Sequence, residues 1–188
     1  MASIKTLLVA LLLSVTLGAG GAVAGQDDPR LDGLFDRLGK TSNRAEATAI
    51  TNQIWGIWLR YDGSATEMNE ALNRGIAQMR DRDYVKAEES FSAAIAADES
   101  FAEAWNKRAT LRYLAGDLDG SILDIRQTLA REPRHFGALW GLGMIYSEMG
   151  ELDLAKSAFE SLLDLVPSDS ATRELIREIE EKLADQNI

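Results

Sequence analysis

Apolar residues recur along most of this chain at spacings of three and four, the period of a helix buried on one face. Leu31, Leu34, Phe35 and Leu38 keep that spacing until Gly39, the expected stop. A second run, roughly Asn43–Tyr61, presents Ile50, Ile54, Ile57, Trp58 and Tyr61, with Trp55 nearby. Aromatics at helical spacing are read first as core and only second as a docking or membrane-interface patch. Further along, Trp105, Arg108, Ala109 and Arg112 fall at helical spacing, Ala115-Gly116-Asp117 breaks the run, and a partner helix opening near Leu118 carries Ile122, Ile125 and Leu129. Gly116 suits a helix end because glycine enters the left-handed conformation without penalty; Pro133 closes the partner helix because proline cannot donate to the helical ladder. The last stretch, 168–184, sets Leu175, Ile176, Ile179 and Leu183 among charged residues, with Ser168 or Ser170 as expected N-cap and Asp169 placed favourably against the helix dipole.

Shifted on itself by 34 residues, the chain aligns Trp105 with Leu139, Ala109 with Gly143, Ser121 with Ala155, Ile125 with Phe159 and Pro133 with Pro167. Shifted backwards, the same frame lands on Ala71, Gly75, Ala87, Phe91 and Glu99. Three copies therefore run over about 68–101, 102–135 and 136–169, and a fixed period of this size marks a repeat architecture. Each copy is a helix pair. Small residues at Gly75/Ala87, Ala109/Ser121 and Gly143/Ala155 let the pair close up, while Phe91, Ile125 and Phe159 fill the seam toward the next pair. Stacked pairs need covered ends. Leu31–Tyr61 is expected to form a hairpin over the first repeat, and 168–184 a helix over the last.

Trp105, Ala109, Ser121, Ile125 and Pro133, and again Gly143, Tyr146, Ala155, Phe159 and Pro167, resemble the signature of the tetratricopeptide repeat across about 102 residues. The first copy departs from it at Ala71, Gln78 and Glu99. The resemblance implies an all-α fold, a right-handed α-α superhelix whose concave wall is lined by the first helix of each pair. Transferred residue by residue, it turns Asn69, Leu72, Asn73, Ile76 and Met79 inward in the first copy, Glu103, Asn106, Lys107, Thr110 and Tyr113 in the second, and Gly137, Trp140, Met144 and Ser147 in the third. Of these, Leu72, Asn73, Ile76, Met79, Asn106, Lys107, Thr110, Tyr113, Trp140, Met144 and Ser147 are the expected partner-binding set. Trp140 stands out because its neighbour Leu139 already takes the buried seam position, and adjacent helical residues are turned about 100° apart. Some members of the family clamp a partner's terminal carboxylate. Here only Arg80, Lys107, Asn73 and Asn106 could contribute, with Asn106 displaced by one residue, so such a clamp is not expected. The competing arrangement is a groove filled by the chain's own N-terminal hairpin or C-terminal helix.

The first 24 residues change the picture of location. Lys5 precedes the apolar run Leu7–Leu17, and Ala22-Val23-Ala24 forms a small-x-small site of the kind signal peptidase cuts. The run is shorter than the ~20 residues a spanning helix needs. The expected organisation is a signal peptide over 1–24, a hairpin over 25–64 and a repeat domain over 65–184, with a periplasmic location. Membrane association is expected only if the leader stays attached.

The formal net charge of −10 becomes −11 once Lys5 leaves, which argues against nucleic-acid partners. Absence of cysteine excludes disulfides, and with His135 as sole histidine a zinc-type site has almost no ligands. Ser121, Ser147, Ser157 and Ser161 have no base beside them in any recognisable pattern, and His135 is expected to be solvated or to cap a helix. No catalytic residue, metal or cofactor is therefore expected. The function expected is a non-enzymatic adaptor holding a protein or peptide partner in the groove; the alternative is a structural protein that forms homo-oligomers through its end faces or tryptophan-bearing hairpin.

Overall fold

The computed structural model describes residues 25–60 and 66–186. The leader over 1–24, Tyr61 and the boundary drawn at 64/65 lie outside the described residues. A short 3-10 turn, Gly25–Asp27, leads into α1 (Arg30–Lys40) and α2 (Arg44–Trp58). Three helix pairs follow: α3 (Thr66–Arg80) with α4 (Tyr84–Ala97), α5 (Ala102–Leu114) with α6 (Leu118–Arg131), and α7 (Phe136–Met149) with α8 (Leu152–Leu165). Helix α9 (Ser170–Gln186) ends the chain's described part.

The 34-residue period is written into the helix ends. Second helices start behind Asp83, Asp117 and Glu151, and the two aspartates accept hydrogen bonds from the Lys86 and Gly120 amides. The residue preceding each of these caps is left-handed: Arg82 at φ 62°, Gly116 at 83° and Gly150 at 79°. Glycine is at ease there, whereas an arginine carries its Cβ into strain. Gly39, expected to stop α1, instead lies within its last turn, and the helix runs on to Lys40.

Inside each pair, side-chain volume is matched across the two helices. A Cβ on Gly75 would lie 2.6 Å from the Phe91 ring, and one on Gly143 would lie 2.5 Å from the Phe159 ring. At the equivalent place in the second repeat stand Ala109 and Ile125, a larger residue facing a smaller one. The rings thus fill space within their own pair as well as the seam to the next, where Phe91 shares a core with Ala104 and Leu111. Charge also ties the repeats together: buried Asp124 on α6 accepts two 2.8 Å hydrogen bonds from Arg108 on α5, and Arg112, 3.0 Å from the same carboxylate, reaches Glu88 on α4 at 2.6 Å.

The two ends are finished differently. Helix α9 covers α8 as expected, with Ile179, Leu175, Ile176 and Leu183 against Leu152, Ala155 and Phe159. Its cap is Asp169, whose carboxylate accepts from the Ala171 and Thr172 amides, rather than Ser168 or Ser170. The hairpin does not cover the first repeat. Leu31, Leu34, Phe35, Leu38, Ile50, Ile54, Ile57 and Trp58 form one core with Phe136, Leu139, Leu162 and Val166 at the third repeat. The physical reason is the surface on offer. Glu70, Asn73 and Arg74 make the exposed side of α3 polar, so it needs no cover, whereas the ends of α7 and α8 present large apolar side chains.

Candidate functional site

The hairpin is anchored on the α6–α7 junction by a buried cluster around His135. The imidazole is fully buried and caps α7: its Nδ1 accepts from the Ala138 amide at 3.1 Å. That leaves the proton on Nε2, which donates to Glu103 Oε2 at 3.0 Å. The expectation of a capping histidine is met, but not that of a solvated one. Glu103, expected to face the groove, is buried at the start of α5. Asn106 Nδ2 donates to Oε2 at 3.0 Å, and the Lys107 ammonium lies 2.7 Å from Oε1 as an ion pair without hydrogen-bond alignment. Burial pushes the Glu103 carboxyl up, but the His135 hydrogen bond and the Lys107 charge outweigh it and hold it below the ordinary carboxylate range.

Two tryptophans of α2 close over this cluster. Trp58, 2% exposed, stacks on His135, while the half-buried Trp55 meets His135 and Phe136 edge-on at 5.4 and 5.3 Å. Lys107 Nζ lies 5.6 Å from the Trp55 ring centre. Gly137 makes the contact feasible, since a Cβ there would sit 2.8 Å from the Trp55 ring. At the hairpin's edge, Arg134 reaches Asp32 at 2.7 Å and lies over Phe35. The N-terminal turn adds a staple: Gln26 donates to the Ser100 carbonyl at 2.7 Å and accepts from the Ala102 amide at 3.4 Å, at the start of α5.

A small cleft of about 100 Å³ lies open between α5 and α7, lined by Asn106, Thr110, Tyr113, Trp140 and Met144 among others. These five belong to the set expected from the sequence. Trp140 is 47% exposed. Burial first, and then the Glu148 carboxylate, push the Tyr113 phenol up. The rest of the expected set is dispersed. Leu72 is 3% exposed and belongs to the first repeat's core, so it offers no surface; Ile76 and Met79 pack partly against that core. Asn73 is exposed and Ser147 half-buried, both outside the cleft. Lys107 is committed to Glu103 and Trp55.

Beyond Trp140 and Gly137, which line both spaces, a larger cavity of about 380 Å³ opens between α2 and the third repeat. Its floor is Trp55, Phe136, Leu162 and Val166; its rim is Arg44, Thr48, Thr51 and Asn52 of α2 with Ser168 and Asp169. Of these, the sequence raised only Trp55, as the second reading of an aromatic patch. The available signal was the polar stripe 44, 48, 51, 52 at helical spacing on an otherwise apolar helix, but it acquires meaning only once the hairpin's seat is known. Among the described residues no group of three or more histidines, aspartates or glutamates is placed to hold a metal ion, and no helix is long and apolar enough to cross a membrane.

Comparison with known proteins agrees with this architecture. A sequence model of the tetratricopeptide repeat matches residues 72–125 and 109–170. A TPR repeat-containing protein of Rhizobium etli is 37% identical over 155 residues, spanning 82% of this chain and 75% of the relative. Among solved structures, the first TPR domain of Spaghetti (RPAP3), bound to an HSP90 peptide, superposes with a TM-score of 0.61 at 18% identity, over 64% of this chain and 96% of that one. MamA superposes with a TM-score of 0.60 at 20% identity, over 85% of this chain and 84% of that one. With its three stacked helix pairs, its matched small and large seam residues and these relatives, the chain belongs to the tetratricopeptide-repeat family.

Proposed function

We propose that this protein is a non-enzymatic adaptor that holds a protein or peptide partner against the cleft between α5 and α7. The observation that carries this reading is Trp140: a large aromatic left half in solvent on the inner wall, beside a ready cleft, when the seam position next to it is already filled by Leu139. Tyr113, Met144, Asn106 and Thr110 complete a wall with apolar surface and polar groups, and methionine adapts to varied partners. The hairpin covers the Glu103–His135 end of the wall and leaves this part open, so self-occlusion is partial.

Related folds bind peptides, the Spaghetti domain an HSP90 peptide ending in EEVD and the second TPR domain of human RPAP3 an HSP70 peptide with the same ending. In this chain the lysine nearest the cleft is neutralised by Glu103 and no cation lines the cleft itself, which favours a different partner chemistry there. The protein acts, on this reading, in the periplasm after removal of residues 1–24, which the charged, apolar and small-residue order of that segment supports. Replacing Tyr113 and Trp140 together by alanine abolishes recovery of the partner from envelope extracts while helicity is retained; unchanged recovery rules out the cleft as the site.

A second reading, self-association, draws on Val85, Leu114 and Met149, exposed apolar side chains near the turns between paired helices. Light scattering decides it: a monomer at high concentration removes the idea.

A further inference from the structure

The cavity beyond Trp140 forms where the hairpin meets the third repeat, and its chemistry differs from that of the α5–α7 cleft. Its volume of about 380 Å³ falls in the range that accepts a small ligand or a bulky side chain, whereas the cleft's 100 Å³ suits a short aliphatic one. Trp55 and Trp140 contribute aromatic walls, and Leu162 and Val166 an apolar base. Two formal charges line the cavity. Asp169 is committed to the first amides of α9. Arg44, exposed on the rim, has no carboxylate within 4.0 Å among the described residues, so its guanidinium is free to pair with an anionic group seated next to an apolar one in the cavity.

We propose that this cavity is a second recognition subsite, taking a bulky apolar side chain of the partner whose neighbouring carboxylate pairs with Arg44. An extended segment lying on the α5–α7 cleft reaches it by crossing Trp140, because Gly137 and Trp140 border both spaces. The hairpin thereby sets which segment the repeats accept: the repeat wall takes a small apolar residue, and the cavity takes a large one followed by an acid. The inference rests on the reading of the cleft as the binding wall and adds the partner's chemistry to it.

The test uses isotope-labelled protein and three small probes: N-acetyl-phenylalanine, its amide, and the blocked dipeptide N-acetyl-phenylalanyl-glutamyl amide. The expected result is a shift of the Gly137 amide and the Trp140 indole N–H with either acid, at an affinity about five-fold above that of the neutral amide, the scale of one solvent-accessible ion pair. Which acid binds tells a chain-terminal carboxylate from a side-chain one. Arg44→Gln removes the preference for acid while the rest of the amide spectrum stays in place. Equal affinity for acid and amide, an unchanged preference in Arg44→Gln, or no shift at Gly137 and Trp140 overturns the proposal. If a partner is still captured at Trp140 in that case, the cleft reading stands and only the subsite falls.

Discussion

The imidazole of His135 lies flat on the indole of Trp58, with ring centroids 4.3 Å apart and planes 10° from parallel. One residue therefore caps α7, holds buried Glu103 and seats the N-terminal hairpin, so the open part of the wall is defined by where this contact ends. His135→Ala removes the cap and the stack and leaves buried Glu103 with only Asn106 and Lys107, at a cost of about 3 kcal/mol. In urea unfolding, His135→Ala and Glu103→Gln combine to well under the sum of their separate losses, a coupling of about 1 kcal/mol or more; strict additivity would show that the pair does not act together.

Glu103 also sets an acid limit on stability. Its folded carboxyl titrates below the ordinary value of 4.5, so the stability it contributes is present above that value and is lost as pH falls through the folded one. The acid limb of a stability–pH curve is flatter in Glu103→Gln than in the parent below pH 4.5, and parallel limbs would contradict the assignment.

Arg82 occupies the left-handed position that Gly116 and Gly150 fill in the next two repeats. Arg82→Gly relieves a strain of about 1 kcal/mol, partly offset by the freer unfolded chain, and the net gain is a few tenths of a kcal/mol to 1 kcal/mol. Gly150→Ala moves stability the other way by about 1 kcal/mol. Chemical denaturation of the two variants checks both signs.

Gln26 stands just beyond the expected leader cleavage site and bonds to Ser100 and Ala102. Phe101, the N-cap of α5, supplies no side-chain cap of its own. Gln26→Ala accelerates hydrogen exchange at the Ala102 amide several-fold and leaves the Thr172 amide of α9 unchanged; equal protection at Ala102 would show that the turn does not staple α5.

The repeats were legible because a 34-residue period is stated three times, and Gly116, Gly150, Pro133 and Pro167 punctuate it where the helices end. The seat of the hairpin was not. The apolar stripe of Leu31, Leu34, Phe35 and Leu38 reads the same whichever surface it covers, and only the polar side of α3, set against Phe136 and Leu139, decides the choice. The Glu103–His135 pair was hidden for a related reason. The two residues lie 32 positions apart, and each alone resembles an ordinary surface or capping residue. Of the proposed wall, Tyr113 and Trp140 were reachable through the resemblance to the repeat family, while Leu72 was drawn inward by the helix pair's own packing. The cavity at Arg44 became visible only with the tertiary contact that encloses it.

On the proposed function, the wall around Trp140 is open and holds a partner. Photo-crosslinking in the native envelope tests it most directly, with a reactive residue at position 140 and a control at exposed Glu178 of α9. A discrete adduct with another protein at 140 and none at 178 is the predicted result. No adduct at either position, or only a product of twice the chain's mass, would contradict it.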